Sequence, residues 1–302
     1  MIATFPELRI GDPLRHKALS VFPLFSDSEG GIEYRLGSEA LADESAIVKE
    51  VNEGGSVPHL LVENRGDIRI LFIEGEELVG AKQNRILNTS VLVAPRSKVK
   101  IPVSCVEQGR WTYKSGGFKT SGANSPTTLR YTLKKSVGDS ATSGLGHRSD
   151  QRKVWRDVET YLIRNRVPSV TRAMSKAFEG TKEKSSVYRE KTRYVEGATG
   201  VAIAIGGKIV AIDVFDKPST CAKMWDRLMS GCILEALNAG EEDRPATCAD
   251  VERLLGSTSE ANWKRVKPVD EGEEFRAEFN EDHASMLSLK NLVVHGSVAS
   301  LN

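Results

Sequence analysis

The 302 residues are 39% hydrophobic and 27% charged, a globular balance with enough core to fold without disulfide staples. No apolar run reaches the roughly 18 residues that span a bilayer, and MIATFPELRIGDPLRHK meets charge too early for a secretory leader, so a cytoplasmic protein is expected. The net charge of +1 conceals a division: residues 80–193 hold 24 Lys+Arg against 8 Asp+Glu, a local +16, and the remainder balances it at −15. Either the basic middle offers a face to phosphates, or it packs against the acidic flanks of the same chain.

The first third is expected to form strands. Ala18–Phe25, His59–Val62 and Ile68–Ile73 are short apolar runs separated by Gly54-Gly55 and Asn64-Arg65-Gly66. Leu36–Ala42 and Ala46–Val51 fit either a short helix or a loop. Arg85–Val93 ends at Ala94-Pro95, and Val99–Val106 alternates with the two-residue period of a half-buried strand. Pro102 lacks an N–H for the ladder, which places that strand at an edge. Ser115–Ser149, with 18 of 35 residues Ser, Thr or Gly, is expected to be a loop or lid.

Helices follow. Ser149 or Asp150 caps a helix with Val154, Trp155, Val158 and Leu162 on one face, and Ser169 caps another that ends at Gly180. Gly206-Gly207 between Gly200–Ile205 and Lys208–Phe215 is a hairpin signature. Pro218 opens a helix to about Asn238, striped by Cys221, Met224, Trp225, Leu228, Cys232 and Leu237. A short helix near Ala249–Leu255 and strands near Trp263–Val269, Glu274–Phe279 and Leu287–His295 complete the chain. The class is α+β: a β-rich sandwich or barrel-like domain over 1–114, a loop over 115–149, and an α+β part over 150–302 packed on the first.

Four cysteines lack CxxC spacing and partner histidines, and Cys221 and Cys232 sit too far apart on one helix for a disulfide. The five histidines show no HExxH spacing, so no metal-ligand set is assigned; His295, ending an apolar run, suits the core better than a site. Gly144-Leu145-Gly146-His147 lacks the strand a phosphate loop needs.

Chemistry concentrates in Gly75–Trp111, GEELVGAKQNRILNTSVLVAPRSKVKIPVSCVEQGRW. Arg85 and Arg110 supply forked guanidinium groups for phosphate or carboxylate, and Lys82 a compact charge. Gln83 and Asn84 offer amides for a base or ribose, and Trp111 a stacking face. Glu77 and Glu107 are the candidate general acid or base, with Glu76 beside them, and they leave room for a divalent cation such as Mg²⁺. Against this stands a structural alternative for each residue, Glu107 pairing with an arginine and Trp111 entering the core. A small anionic ligand follows. Nucleic acid is disfavoured because Tyr131, Tyr161, Tyr188 and Tyr194 are scattered among the basic residues.

VFPLF at 21–25, GSVPHLLVENRGD at 55–67, GEELVGAKQNRILNTSVLVAP at 75–95 and IPVSCVEQGRW at 101–111 resemble the bacterial ADP-ribosylglycohydrolase- and rhodanese-phosphatase-associated protein domain. The likeness is dense over about 18–115 and looser through SDQRKVW at 149–155 towards His295. It implies a part in ADP-ribose, NAD-derived or phosphoester metabolism, beside a partner enzyme, and supplies no catalytic residues. Whether the chain is itself an enzyme is left open. A nucleotide-type ligand, processed or merely bound, is the expectation. A non-catalytic module docking through its basic face is the alternative.

Overall fold

The computed structural model describes residues 4–27, 30–240 and 244–301. Chain order begins β1 (Arg9–Ile10), β2 (Leu14–His16), β3 (Leu19–Phe25), β4 (Tyr34–Leu36), α1 (Gly37–Ala42), β5 (Ala46–Glu50), β6 (His59–Asn64) and β7 (Arg69–Phe72). It continues with β8 (Glu76–Gly80), β9 (Arg85–Leu87), β10 (Val91–Val93), β11 (Lys98–Cys105), β12 (Phe118–Asn124), α2 (Thr127–Thr142), α3 (Gln151–Arg164), α4 (Met174–Gly180) and α5 (Lys182–Lys191). The last part holds β13 (Gly200–Ile205), β14 (Lys208–Phe215), α6 (Pro218–Ala236), α7 (Cys248–Glu260), β15 (Lys264–Val266), β16 (Glu273–Phe279), β17 (Asp282–Leu289) and β18 (Leu292–Ala299).

The architecture is α+β. A three-stranded sheet, β10-β7-β4, and a six-stranded sheet, β12-β8-β9-β11-β6-β5, share one apolar core, to which Leu60, Val62, Ile70, Phe72, Leu78, Leu87, Val93 and Ile101 contribute. This is a β-sandwich of the kind expected, but it takes β12 from 115–149 and leaves β3 to another sheet. The third sheet has nine strands, β1-β3-β13-β14-β18-β17-β16-β15 with β2 on β3, so its strands come from both ends of the chain. The parts expected as 1–114 and 150–302 therefore meet within one sheet.

Buried side chains of α6, among them Cys221, Met224, Trp225, Leu228 and Cys232, pack with Leu19, Val21, Val201 and Ile203 of that sheet, as the stripe in the sequence requires. The Gly206-Gly207 turn has φ of 58° and 77° and joins β13 to β14. Asp150 caps α3 by accepting the N–H groups of Arg152 and Lys153. No helix of the described residues is long and apolar enough to cross a membrane.

Several expectations are corrected. Ser115–Ser149 carries β12 and α2 rather than a loop; Leu129, Leu133 and Val137 of α2 are buried, and so are Arg130 and Lys134. Pro102 does not mark an edge: β11 lies between β6 and β9, and Pro102 falls where its pairing passes from one to the other. Arg85–Val93 is two strands in different sheets, β9 and β10, with Asn88–Ser90 turning between them. Leu287–His295 is the tip of the β17–β18 hairpin, whose turn residues Lys290 and Asn291 have φ of 52° and 64°. The α4 helix starts at Met174, later than Ser169 suggests, and Val170 is fully exposed.

Candidate functional site

β8 runs between β12 and β9, and its two faces have different fates. Glu76, with its side chain 4% exposed, accepts from the Ile73 N–H at 2.8 Å and from Arg227 at 2.9 Å. Burial raises its pKa against the pull of Arg227, and the residue holds α6 to the sandwich. Glu77 has the opposite surroundings. It lines a cavity of about 930 Å³ together with Val79, Asn84 and the segment 114–121, β5 and the end of α4 closing the other sides.

Glu77 is wholly buried, and neither carboxylate oxygen has a partner in hydrogen-bonding geometry. Burial pushes its pKa up to about 7, and the carboxylates of Glu107 and Glu179 push the same way, while Ser121 and the Ser175 backbone offset part of this. The β12–β8 ladder makes the space: pairing shifts between Thr120 and Asn124, a bulge beside Glu77 that widens the gap between the strands. Lys114 and Lys119 stand on that wall, exposed and without an ion pair among the described residues. With Gly116, Gly117 and Thr120 they present ammonium groups, a hydroxyl and small backbone turns, the chemistry that accepts phosphate oxygens.

The remaining sequence candidates divide between scaffold and outer surface. Asn84 reaches the cavity, while its amide oxygen accepts from the Gly80 N–H and from Arg110. Gln83 donates to the Glu107 carbonyl at 2.7 Å and accepts from Arg85 at 2.7 Å. Glu107 binds Arg110 at 2.6 Å, the Asn84 N–H at 3.1 Å and the Thr171 hydroxyl at 2.8 Å. Burial raises the pKa of Glu107, but these donors outweigh it and keep the group an anion below the usual carboxylate range. Arg110 also donates to the carbonyls of Gly80, Ala81 and Thr112, so it clamps the turn after β8.

Arg85 is fully buried beneath Trp111, 5.5 Å from its ring centre, with two guanidinium nitrogens unpartnered. Burial lowers its pKa, with Cys105 and Glu50 acting against the shift. Lys82 donates to the Glu53 and Gly54 carbonyls and lies 5.5 Å from the Trp111 ring and 5.0 Å from that of Tyr113. Of the residues proposed from sequence, then, Glu77 and Asn84 share the cavity, Gln83, Glu107 and Arg110 brace the turn beside it, and Lys82 and Trp111 lie outside over the buried Arg85, which Gln83 holds.

Gly80 controls the approach of the cavity wall. It has φ of +133°, and a Cβ there would come within 2.4 Å of the Gly117 carbonyl. Gly80→Ala is expected to displace 114–121 and cost about 1–3 kcal/mol. Urea unfolding would measure this; an unchanged midpoint would show that the wall yields freely.

A second concentration of polar groups, undetected in the sequence except for His295, lies between the sandwich and the nine-stranded sheet. Glu74 accepts from Lys134, Ser285 and Ser297, and Arg130 clasps Asp213 through bonds of 2.8 and 2.6 Å. His295 joins Asp213 at 3.2 Å to Ser90 at 2.8 Å, and the Ser90 hydroxyl also accepts from the Glu74 N–H. Arg276 holds Glu274 and Thr89, and His147 meets Glu274 at 2.7 Å. Burial opposes ionisation of Glu74, but Lys134 and Arg130 hold it well below the usual carboxylate range. Asp213 is likewise resisted by burial yet brought down to about 2 by Arg130 and His295.

The order Ser90, His295, Asp213 is that of a nucleophile, base and orienter. All three are buried, and Arg130 already occupies Asp213, so the chain of bonds acts as an internal tie. It also answers the charge division: Arg130 and Lys134 of the basic middle pair with Asp213 and Glu74 of the acidic flanks. The cysteines are free, and no group of three or more His, Cys, Asp or Glu suited to a metal occurs among the described residues.

Fold and site thus define an α+β protein with a β-sandwich, an ionic interior and one large cavity lined by both apolar and polar groups. The sequence profile of the ARG and Rhodanese-Phosphatase-superfamily-associated Protein domain matches residues 7–299, and the chain belongs to that family. Comparisons with curated proteins and with solved structures found no match.

Proposed function

We propose that the protein binds and processes an anionic nucleotide-type small molecule, of the ADP-ribose, NAD-derived or phosphoester class, in the cavity beside Glu77. The observation that carries this is a fully buried carboxyl group at the wall of that cavity, with neither oxygen in a well-formed hydrogen bond and only the looser approach of Ser121 and the Ser175 N–H to answer it. Buried polar groups without partners are rare, and they concentrate where a ligand supplies the missing bonds. A carboxyl raised to about 7 exchanges a proton at neutral pH, so Glu77 would draw a proton from an attacking water. Lys114 and Lys119 would meet the phosphate oxygens. The family's association with ADP-ribosylglycohydrolase and rhodanese-phosphatase proteins supports the same substrate class. Should Mg²⁺ take part, the carboxylates lining the cavity that would hold it are Glu77, Glu179 and Glu44.

Thermal unfolding in the presence of ADP-ribose, NAD and mononucleotides, each with and without Mg²⁺, tests binding. A ligand at 100 times its dissociation constant adds about 2.7 kcal/mol, a shift easily seen. With a turned-over ligand in hand, Glu77→Gln is expected to reduce turnover about 10²- to 10⁴-fold while binding persists. Equal turnover by the variant would remove Glu77 from the chemistry.

A second reading draws on the exposed Trp111 and Tyr113 flanking Lys82, a surface suited to docking on a partner enzyme. Silence of every nucleotide in the thermal assay, together with stable capture of one partner through this surface, would favour it.

A further inference from the structure

A second cavity, of about 300 Å³, lies between α2 and the strands β15, β16 and β17. Its floor is the buried Arg276, whose Nε and Nη2 hold Glu274 and Thr89 while Nη1 is buried without a partner. Cross-strand pairing sets Lys264 opposite Arg276, and Glu278 opposite His283. His283 is 4% exposed, packs edge-on against Tyr131, and leaves its Nε2 buried and unpartnered. An orphaned guanidinium N–H and an orphaned imidazole nitrogen therefore belong to neighbouring strands lining one cavity.

Native structures seldom leave such groups unanswered, and a guanidinium edge, with an imidazole on the adjacent strand that donates from Nε2 in one tautomer, suits an oxyanion. Lys134 also lines the cavity, but its ammonium is committed to Glu74, Ser285 and Ser297, so it adds field rather than a free bond. The space exceeds that of a bare phosphate, and the carboxylates of Asp139 and Glu278 are acceptors for hydroxyl groups.

We propose that this cavity binds a phosphate monoester carried on a small hydroxylated molecule, the phosphate on Arg276 and His283 and the hydroxyls towards Asp139 and Glu278. The site is separate from the Glu77 cavity and does not depend on the function assigned there.

Arg276 also serves the buried network, so it is a poor residue to remove. Gly138 of α2 is better: it lines the cavity, and a Cβ there would meet no atom within 4 Å. Gly138→Leu fills the space and favours the helix. Isothermal titration would use inorganic phosphate and glycerol 3-phosphate as probes against the full chain. The expected result is measurable binding by the wild type, tighter for the ester, weakened about tenfold or more by Gly138→Leu and by Lys264→Glu. The Gly138→Leu thermal midpoint should not fall. Inorganic phosphate binding as tightly as the ester would keep the oxyanion site and overturn the carrier. No binding of either probe at about 10 mM, or undiminished binding by Gly138→Leu, would overturn the proposal altogether.

Discussion

Asp213→Ala is expected to lower the unfolding free energy by about 3–5 kcal/mol, the largest effect of any single substitution considered. Asp213 has no exposed surface, accepts two bonds from Arg130 and one contact from His295, and is held ionised at a pKa of about 2. Removing it leaves Arg130, itself 4% exposed, with Glu74 at 3.6 Å as the remaining counter-charge. Desolvation of a guanidinium without its ion pair exceeds what that longer contact returns. Against the 5–15 kcal/mol typical of whole domains, such a loss brings the chain near the threshold of folding. The double variant Arg130→Met with Asp213→Leu should recover much of the loss, because two apolar groups of similar volume need no compensation. Urea midpoints of the single and double variants decide the matter. A single variant within about 1 kcal/mol of the wild type would mean that water reaches Arg130 and that the interior is not dry.

The network explains which parts of the fold were legible in the sequence. The β13–β14 hairpin and α6 declared themselves because their apolar periods are uninterrupted and their turn or capping residues stand beside them. The α2 helix was hidden for the opposite reason. Its buried face includes Leu129, Leu133 and Val137, a clear four-residue period, but Arg130 and Lys134 share that face and count as solvent-facing in any pattern of apolar residues. Their counter-charges, Asp213 and Glu74, are 83 and 60 residues away, a distance no local window spans. Likewise Asn88–Ser90 looked like part of a strand, since nothing local says that Ser90 answers His295, 205 residues on.

Of the candidate site, Glu77 and Asn84 could be named from the density of chemistry around them, and both line the large cavity. Lys114 and Lys119 were concealed by a composition that resembles a loop. The alternation of Lys with Ser, Gly and Thr in KSGGFKTS was the available signal. Arg85 and Arg110 drew attention through their guanidinium groups, yet a guanidinium can brace a turn as readily as it grips a ligand, and Arg110 makes five bonds, three to the turn after β8 and two within its own loop.

Glu77→Gln is expected to stabilise the protein in alkaline solution while it removes the proposed proton transfer. The carboxyl has a pKa of about 7 in the fold against an ordinary value of 4.5. Between these values the folded chain keeps a proton that the unfolded chain has released, so stability falls as pH rises from about 4.5 to 7 and is flat beyond. That gap is worth on the order of 3 kcal/mol at pH 8 and under about 1 kcal/mol at pH 5. Glutamine has no proton to lose, so the variant should gain on the wild type steadily across this window. Glu76, also raised by burial, is common to both proteins and cancels in the comparison. Asp213 and Glu74 act in the reverse sense: their depressed pKa values add stability above about pH 4 that is lost in acid, again equally in both. Denaturant midpoints for the two proteins at pH 5, 6.5 and 8 would expose the difference. Parallel pH curves would place the Glu77 pKa near 4.5 and deprive the cavity of its proton-exchanging group. Divergent curves combined with lost turnover would tie the strain in the fold to the reaction, because the group that is least comfortable in the folded protein is then the one the chemistry requires.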